Sequence, residues 1–553
     1  MTISPTRDAS ESPPLADADA RVHDRRWWTL GVLCLTLVLI CIDNTILNVA
    51  IPTLAREFDA TSSQLQWIVD SYVLVFAGLL LTAGFLGDKY GRRGALMIGM
   101  AIFGVGSVAA SMAGSANQLI ACRALMGVGG ALIMPATLSI LTNVFRDAKE
   151  RAKAIAIWAG CSGLGVALGP VTGGWLLEHF SWGSVFLVNL PVLTLAIIGC
   201  VLVVPSSRDA DAPKLDLGGA VLSMTGLTAL LWAIIEAPEA GWMSARTLTA
   251  FAVAASVLGA FILWESRQEH PMLNLDFFRN PRFSAASAAV TLTFFALFGS
   301  LFLVTQYMQS VMGYSALQSG VRYLPLAATL LVVSPISAKL AVRYGSKLVV
   351  ATGLGTVATG LLLMVRLEPG SGYAPLLTSM LVLAAGMALT MAPATESIMG
   401  SLPPAQAGVG SAVNDTTREV GGALGVAVLG SVLSSVFGSR MIDVLAGSDL
   451  PPEAQHVAEH SVTGAVTVAD QIGGPAGQSL ALAAKTAFVD GLHTTSVVAA
   501  GIAALGALIA FVYLPARALD DDLDELDLDR LDDDDLDDDD LDEELRRLMS
   551  VGS

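Results

Sequence analysis

The chain has 553 residues, of which 54% are hydrophobic and only 14% charged, with a mean hydropathy of +0.64. Soluble proteins carry about 25% charged residues, so a soluble globular protein is excluded and a polytopic membrane protein is expected. The formal net charge of −18 misdescribes most of the chain: 520–547 holds 18 acids and 3 arginines, a net of −15, which leaves −3 for the rest.

Residues 1–26 are rich in Ser, Pro and Asp and have no apolar core, so no cleavable signal is expected and the first span acts as its own insertion signal. That span, 27–51, reads WWTLGVLCLTLVLICIDNTILNVAI and contains one strong acid, Asp43. A crossing needs ~20 mostly apolar residues. A carboxylate near its middle costs about 2.5–3.5 kcal/mol even on lenient insertion scales. Asp43 therefore faces a water-filled cavity or a partner. An ion or substrate site is one reading, and a structural acid paired inside the bundle is the other.

Thirteen more apolar segments follow, at 64–84, 94–113, 117–141, 153–176, 184–204, 216–235, 247–264, 283–306, 320–341, 348–365, 374–397, 416–437 and 493–514. An even count puts both termini on one side. Alternate loops carry Lys89, Arg92 and Arg93; Arg146, Lys149, Arg151 and Lys153; Arg208 and Lys214; Arg267, Arg279 and Arg282; and Arg343 and Lys347. By the positive-inside rule those loops and both termini are cytoplasmic. The polar stretch 265–280 reads as a connector, and 438–492 as a long external loop with helix-like patches such as 478–492. The Asp/Leu tract 520–544 repels itself and should be mostly disordered. Cys34, Cys41, Cys122, Cys161 and Cys200 all fall in apolar segments without metal spacing, so they read as small core residues.

Three motifs stand on this framework. The loop 84–93, GFLGDKYGRR, has glycines Gly84 and Gly91 for a tight turn and close helix contact. Its Asp88 can cap a neighbouring helix, and Lys89, Arg92 and Arg93 hold the loop at the inner surface. A degraded copy, SAKLAVRYGSK at 337–347, keeps Arg343, Gly345 and Lys347 but has no acid at the position matching Asp88. In the fourth span Arg123, in CRALMGVGG, needs an acid or carbonyl partner. In the fifth span Gly165, Gly169 and Gly173 lie on one helix face and Pro170 kinks the backbone.

The loop pattern G-x3-D-[RK]-x-G-[RK]-[RK] resembles the signature of the major facilitator superfamily. CRALMG resembles its R-x-x-[QG]-G motif, with Met126 in place of the usual glutamine. GLGVALGPVTGG resembles the antiporter motif G-x-x-x-G-P-x-x-G-G of drug:proton antiporters. With IDNTILNVAIP, QWIVDSYVL, SWGSVFLVNLP and NDTTREVGGALGVA, the chain from residue 27 to about 514 resembles the fourteen-span drug:proton antiporter family of QacA-like, LfrA-like and EmrB-like multidrug exporters. Gly183, where an arginine is common in that family, is a departure.

The resemblance implies an all-α major facilitator fold of two six-helix bundles (27–204 and 282–514) with two extra central spans in 205–281. The tails 1–26 and 515–553 lie outside it. It implies that Asp43 takes part in cation recognition and proton exchange and that Asp70 lines the same half. It places Asp415 and Glu419, with Arg418 between them, in the acidic stretch entering the thirteenth span. Asp415 and Glu419 share a helical face and read equally as helix-start dipole partners. Glu396 is as ambiguous. Between Arg322 and Lys339 the tenth span has no acid.

The expected function is proton-driven export of cationic or amphipathic drugs (dyes, quaternary ammonium compounds, antibiotics) by alternating access across a bacterial inner membrane. Burial raises a carboxyl's pKa and an approaching cation lowers it, which is the physical basis of such exchange. Export of an endogenous lipid, siderophore or antibiotic by the same fold is the alternative, and a non-transporting receptor or scaffold is another. Partners are a small-molecule substrate, protons and the bilayer. No cofactor, metal, nucleic acid or enzymatic activity is expected, because no nucleophile–base pair, metal-ligand spacing or phosphate loop is evident.

Overall fold

A computed structural model describes residues 14–58, 60, 62–208, 216–268, 271, 273–403, 406–446, 448 and 450–515. The acidic tract 520–544 lies outside the described residues. Every regular element described is helical: α1 (Pro14–Phe58), α2 (Ser62–Tyr90), α3 (Arg92–Ser111), α4 (Ala116–Val144), α5 (Ala148–His179), α6 (Ser184–Leu187), α7 (Asn189–Val203), α8 (Leu217–Ala240), α9 (Ala245–Glu265), α10 (Pro281–Gln306), α11 (Ala316–Tyr344), α12 (Ser346–Leu363), α13 (Tyr373–Met399), α14 (Ala407–Leu445), α15 (Pro452–His460), α16 (Val462–Ile472) and α17 (Gly474–Tyr513). A five-residue π-helical segment continues α10 to Val311.

Fourteen of these segments are long and apolar enough to cross a bilayer, with α6 and α7 together forming one crossing, Ser184–Val203. The number and order match the sequence expectation. Apolar residues such as Val105, Leu195 and Leu202 remain exposed on outer faces, as lipid rather than water requires.

Local sequence sets the helix ends. Ser115 accepts a hydrogen bond from Gln118 N at the start of α4, Asp147 from Glu150 N at the start of α5, and Ser315 forms a capping box with Gln318 at the start of α11. The α2–α3 and α11–α12 turns pivot on Gly91 at φ 116° and Gly345 at φ 82°. Both are left-handed conformations that a side chain resists, and they fall at matching positions of the two motif copies.

Two regions run further as helix than apolarity suggests. α1 already starts at Pro14, where a fixed φ suits a first helical turn. The stretch 438–492 is not a loop: α14 has 39 residues and α17 has 40, and the short α15 and α16 join them. At 1.5 Å per residue each long helix is ~60 Å, about twice the ~30 Å hydrocarbon core. α15 rests on α14, and α16 on α17 and the π-helical segment, where Thr463 Oγ1 lies 2.9 Å from Ser310 Oγ.

α1–α7 form one six-crossing bundle, and α10–α14 with α17 form the other. They meet along two seams, α5 against α11 and α13, and α2 and α4 against α14. The extra pair α8–α9 lies against the second seam, where α8 touches both α2 and α14. Trp242 Nε1, in the α8–α9 turn, donates to Ser431 Oγ of α14 at 2.8 Å. Lys89, Arg92, Lys149, Arg343 and Lys347 all lie at one end of the bundles, here called the basic end. α17 finishes there, with Phe511 5.1 Å from Lys347 Nζ.

Candidate substrate and coupling site

Asp43 is fully buried inside the first bundle, with no exposed surface. Its Oδ2 lies 2.6 Å from Arg123 Nη1 of α4, and its Oδ1 accepts from Asn189 Nδ2 of α7 at 2.8 Å. Asn189 Nδ2 also reaches Ser107 Oγ at 3.2 Å. Arg123 donates to Ile68 O at 3.3 Å and stands 4.4 Å over the Tyr72 ring. Met126 supplies the contact that a glutamine would make: its thioether sulfur, a weak acceptor, lies 4.0 Å from Arg123 Nη1. Five helices therefore converge on one neutral ion pair. Asp70, two residues beyond Ile68, is half-buried on α2.

The second cluster lies on α14. Asp415 Oδ1 is 3.7 Å from Arg418 Nη1 and 3.4 Å from Asn414 Nδ2. The Arg418 guanidinium is stacked 4.9 Å from Trp158 of α5 and 5.2 Å from Phe294 of α10, so it touches both bundles. Asp415 Oδ2, Arg418 Nε and Trp158 Nε1 are buried without a hydrogen-bond partner among the described residues. Glu419 is half-buried, and its carboxylate forms no ion pair among the described residues.

The remaining residues gather at the basic end. Asp88 accepts from Gly408 N at 3.0 and 2.9 Å and from Val409 N at 3.2 Å, capping the start of α14 from the other bundle. Arg92 Nε holds the same carboxylate at 2.8 Å, and Ser139 Oγ lies 3.4 Å away. The foreign cap has a local cause. The residue before α14, Gln406, gives no side-chain cap, whereas α5 is capped by its own Asp147. The degraded motif copy faces α5, so its missing acid deprives no helix. Gly84 permits the approach, since a Cβ there would lie 2.5 Å from Gly408 O.

Glu396 belongs to this end rather than to the α14 cluster. It pairs with Arg151 of α5 at 2.9 Å, closing the α5/α13 seam. Lys89 stands over Phe85 and Tyr90, and Arg93 donates to Val201 O at 3.1 Å. On α5, Gly165, Gly169 and Gly173 face α1: a Cβ would meet Cys41 and Val38, Thr45, and Ile46, respectively. Pro170 instead contacts Gly320 of α11. Among the described residues no His/Cys/Asp/Glu group is arranged to hold a metal ion.

Sequence reading had no role for Asn189, Trp158 or Phe294. Asn189 was findable, as the polar residue that opens the largely apolar α7. Trp158 and Phe294 carry no such signal, because their place around Arg418 depends on how two bundles dock.

Paired six-helix bundles with charges buried inside and between them define a secondary membrane transporter. The chain belongs to the Major Facilitator Superfamily, whose model matches residues 33–426. It is 38% identical over 492 residues to the multidrug efflux pump LfrA of Mycolicibacterium smegmatis, covering 89% of this chain and 97% of that one. It is 34% identical to the tetracenomycin C resistance and export protein of Streptomyces glaucescens (88% and 92% covered). It is also 34% identical to the methyl viologen resistance protein SmvA of Salmonella typhimurium (84% and 93%). Among solved structures, the human organic anion transporter MFSD10 superposes with a TM-score of 0.58 at 14% identity, covering 90% of this chain and all of that one. The proton:xylose symporter XylE superposes with 0.56 at 14% identity, covering 90% and 98%. These two likenesses speak to the fold alone.

Proposed function

We propose that this protein is a proton-driven exporter of cationic and amphipathic drugs, acting by alternating access in a bacterial cytoplasmic membrane with its basic end toward the cytoplasm. The names of its relatives, which include a multidrug pump and a methyl viologen resistance protein, support the substrate class. The observation that carries the reading is the charge count over the two buried clusters, one inside the first bundle and one on α14 at the seam. Asp43 is neutralised by Arg123 and Asp415 by Arg418, so Glu419 is left as the uncompensated charge. A carboxylate in a low-dielectric interior needs a proton or a cation beside it. One negative charge with two alternative compensators makes exchange obligatory: the proton leaves when the cation arrives.

The described state fits one stage of that cycle. The basic end is closed at both seams, by Asp88 on α14 and by Arg151–Glu396. Loading from that side requires both contacts to open as the bundles rock. The test is efflux of a cationic dye in inverted vesicles, with a pH gradient imposed and then collapsed. Glu419→Gln at wild-type abundance should lose gradient-driven accumulation. Continued accumulation that still collapses with the gradient would remove Glu419 from the coupling.

The tetracenomycin C relative favours a second reading, self-protective export of one antibiotic. A broad profile of exported dyes separates the first reading from the second.

A further inference from the structure

At the basic end, beside the degraded motif copy, a crevice of about 80 Å³ lies between the bundles. Lys149 and Arg151 of α5 line one wall, and Arg282, Val342 and Ser346 of the second bundle line the other. Among the described residues Glu396 is the only acid lining it, so that lining carries a net charge of +2. Lys149 is exposed and forms no ion pair among the described residues. Arg343 and Lys347 flank the crevice, with their cationic groups over the rings of Tyr344 and Phe511. Val342 stands where the first copy has Asp88, and it is 49% exposed. The α5 N–H groups there are already served by Asp147. What the crevice lacks is negative charge, not a helix cap.

The matching charge is in the same chain. α17 ends beside Lys347, and the acidic run begins at Asp520. Five residues beyond Pro515 reach ~17 Å when extended, which is enough to bring Asp520–Asp522 from the end of α17 past Lys347 to Ser346 and Val342. We infer that the C-terminal acidic tail docks its carboxylates into this crevice and bridges Lys149 and Arg151 of one bundle to Arg343 and Lys347 of the other. Docked there, it supplies from elsewhere in the chain the acid missing from the second motif copy. Repeated Asp keeps the contact tolerant of register, since any of several carboxylates fits.

The test uses the full-length chain with its five cysteines replaced and one cysteine introduced by Val342→Cys, in inverted vesicles that expose the basic end. Its rate of reaction with a charged maleimide is compared with that of the same chain whose 18 tail acids are changed to Asn and Gln. Docking predicts several-fold slower labelling with the acidic tail. The protection should be lost in 1 M salt, where the Debye length falls to ~3 Å. Adding Asp521→Cys should give a disulfide cross-link between positions 342 and 521 under mild oxidation. Asp521→Cys with Met243→Cys, at the opposite end, should give none. Equal labelling of both chains, or protection that persists with the neutral tail, overturns the inference. The latter result would assign the crevice to anionic lipid headgroups. Neither readout depends on transport, so drug export and tail docking fail separately.

Discussion

Replacing Asp43 with Asn keeps its size but strands a guanidinium. Arg123 is 1% exposed, and removing one partner of a buried pair costs about 3–5 kcal/mol. Asp43→Asn should therefore lower abundance and thermal stability, as seen by fluorescence-detected size exclusion. Asp43→Asn with Arg123→Gln should recover much of that loss. Dye efflux by the double variant then reports whether the pair also couples protons. Asp88→Asn likewise takes the charged partner from a buried arginine, Arg92 at 2.8 Å, so a loss of thermal stability is expected there too, beside the loss of a helix cap. A carboxylate at a helix N-terminus contributes about 0.3–1 kcal/mol when exposed and up to ~2 when partly buried, and this one holds two N–H groups. The variant should turn over more slowly with substrate affinity nearly unchanged, and a weaker affinity at unchanged turnover would place Asp88 in the binding site. The buried acids and arginines were legible in the sequence because a charge inside a span always asks for a partner. Which partner was not legible: Asp43 lies 80 residues from Arg123 and 146 from Asn189, and no spacing rule reaches that far.

At the scale of elements, small residues set how closely helices approach. On α5, a side chain at Gly169 would run into Thr45 of α1, and the α1–α5 contact is among the most extensive in the molecule. Gly169→Val should destabilise by about 1–3 kcal/mol through overpacking, measurable as a lowered melting temperature in detergent, whereas substitution at the open Gly94 or Gly355 should cost far less. Fourteen spans could be read from apolar runs because lipid demands them. The overhangs of α14 and α17 could not. Residues 474–492 are Ala-rich and amphiphilic, and they are helical because they lie on α14 and α16, a tertiary cause that hydropathy does not record.

At the scale of the whole molecule, the proposed cytoplasmic orientation of the basic end can be checked. In an otherwise cysteine-free chain, Glu453→Cys should react with impermeant maleimide in intact cells and Gln268→Cys should not. Reaction at residue 268 in unleaky cells would reverse the orientation. The overhang at the opposite end has a mechanical consequence. α15 and α16 are fastened to α14, α17 and the π-helical segment, all of the second bundle, so they travel with it as a lever arm. A rotation of about 10° about the midplane shifts a point ~40 Å away along such a helix by about 7 Å. The largest displacement of the cycle would thus be displayed outside the bilayer, at a surface that an antibody fragment could grip to hold one state.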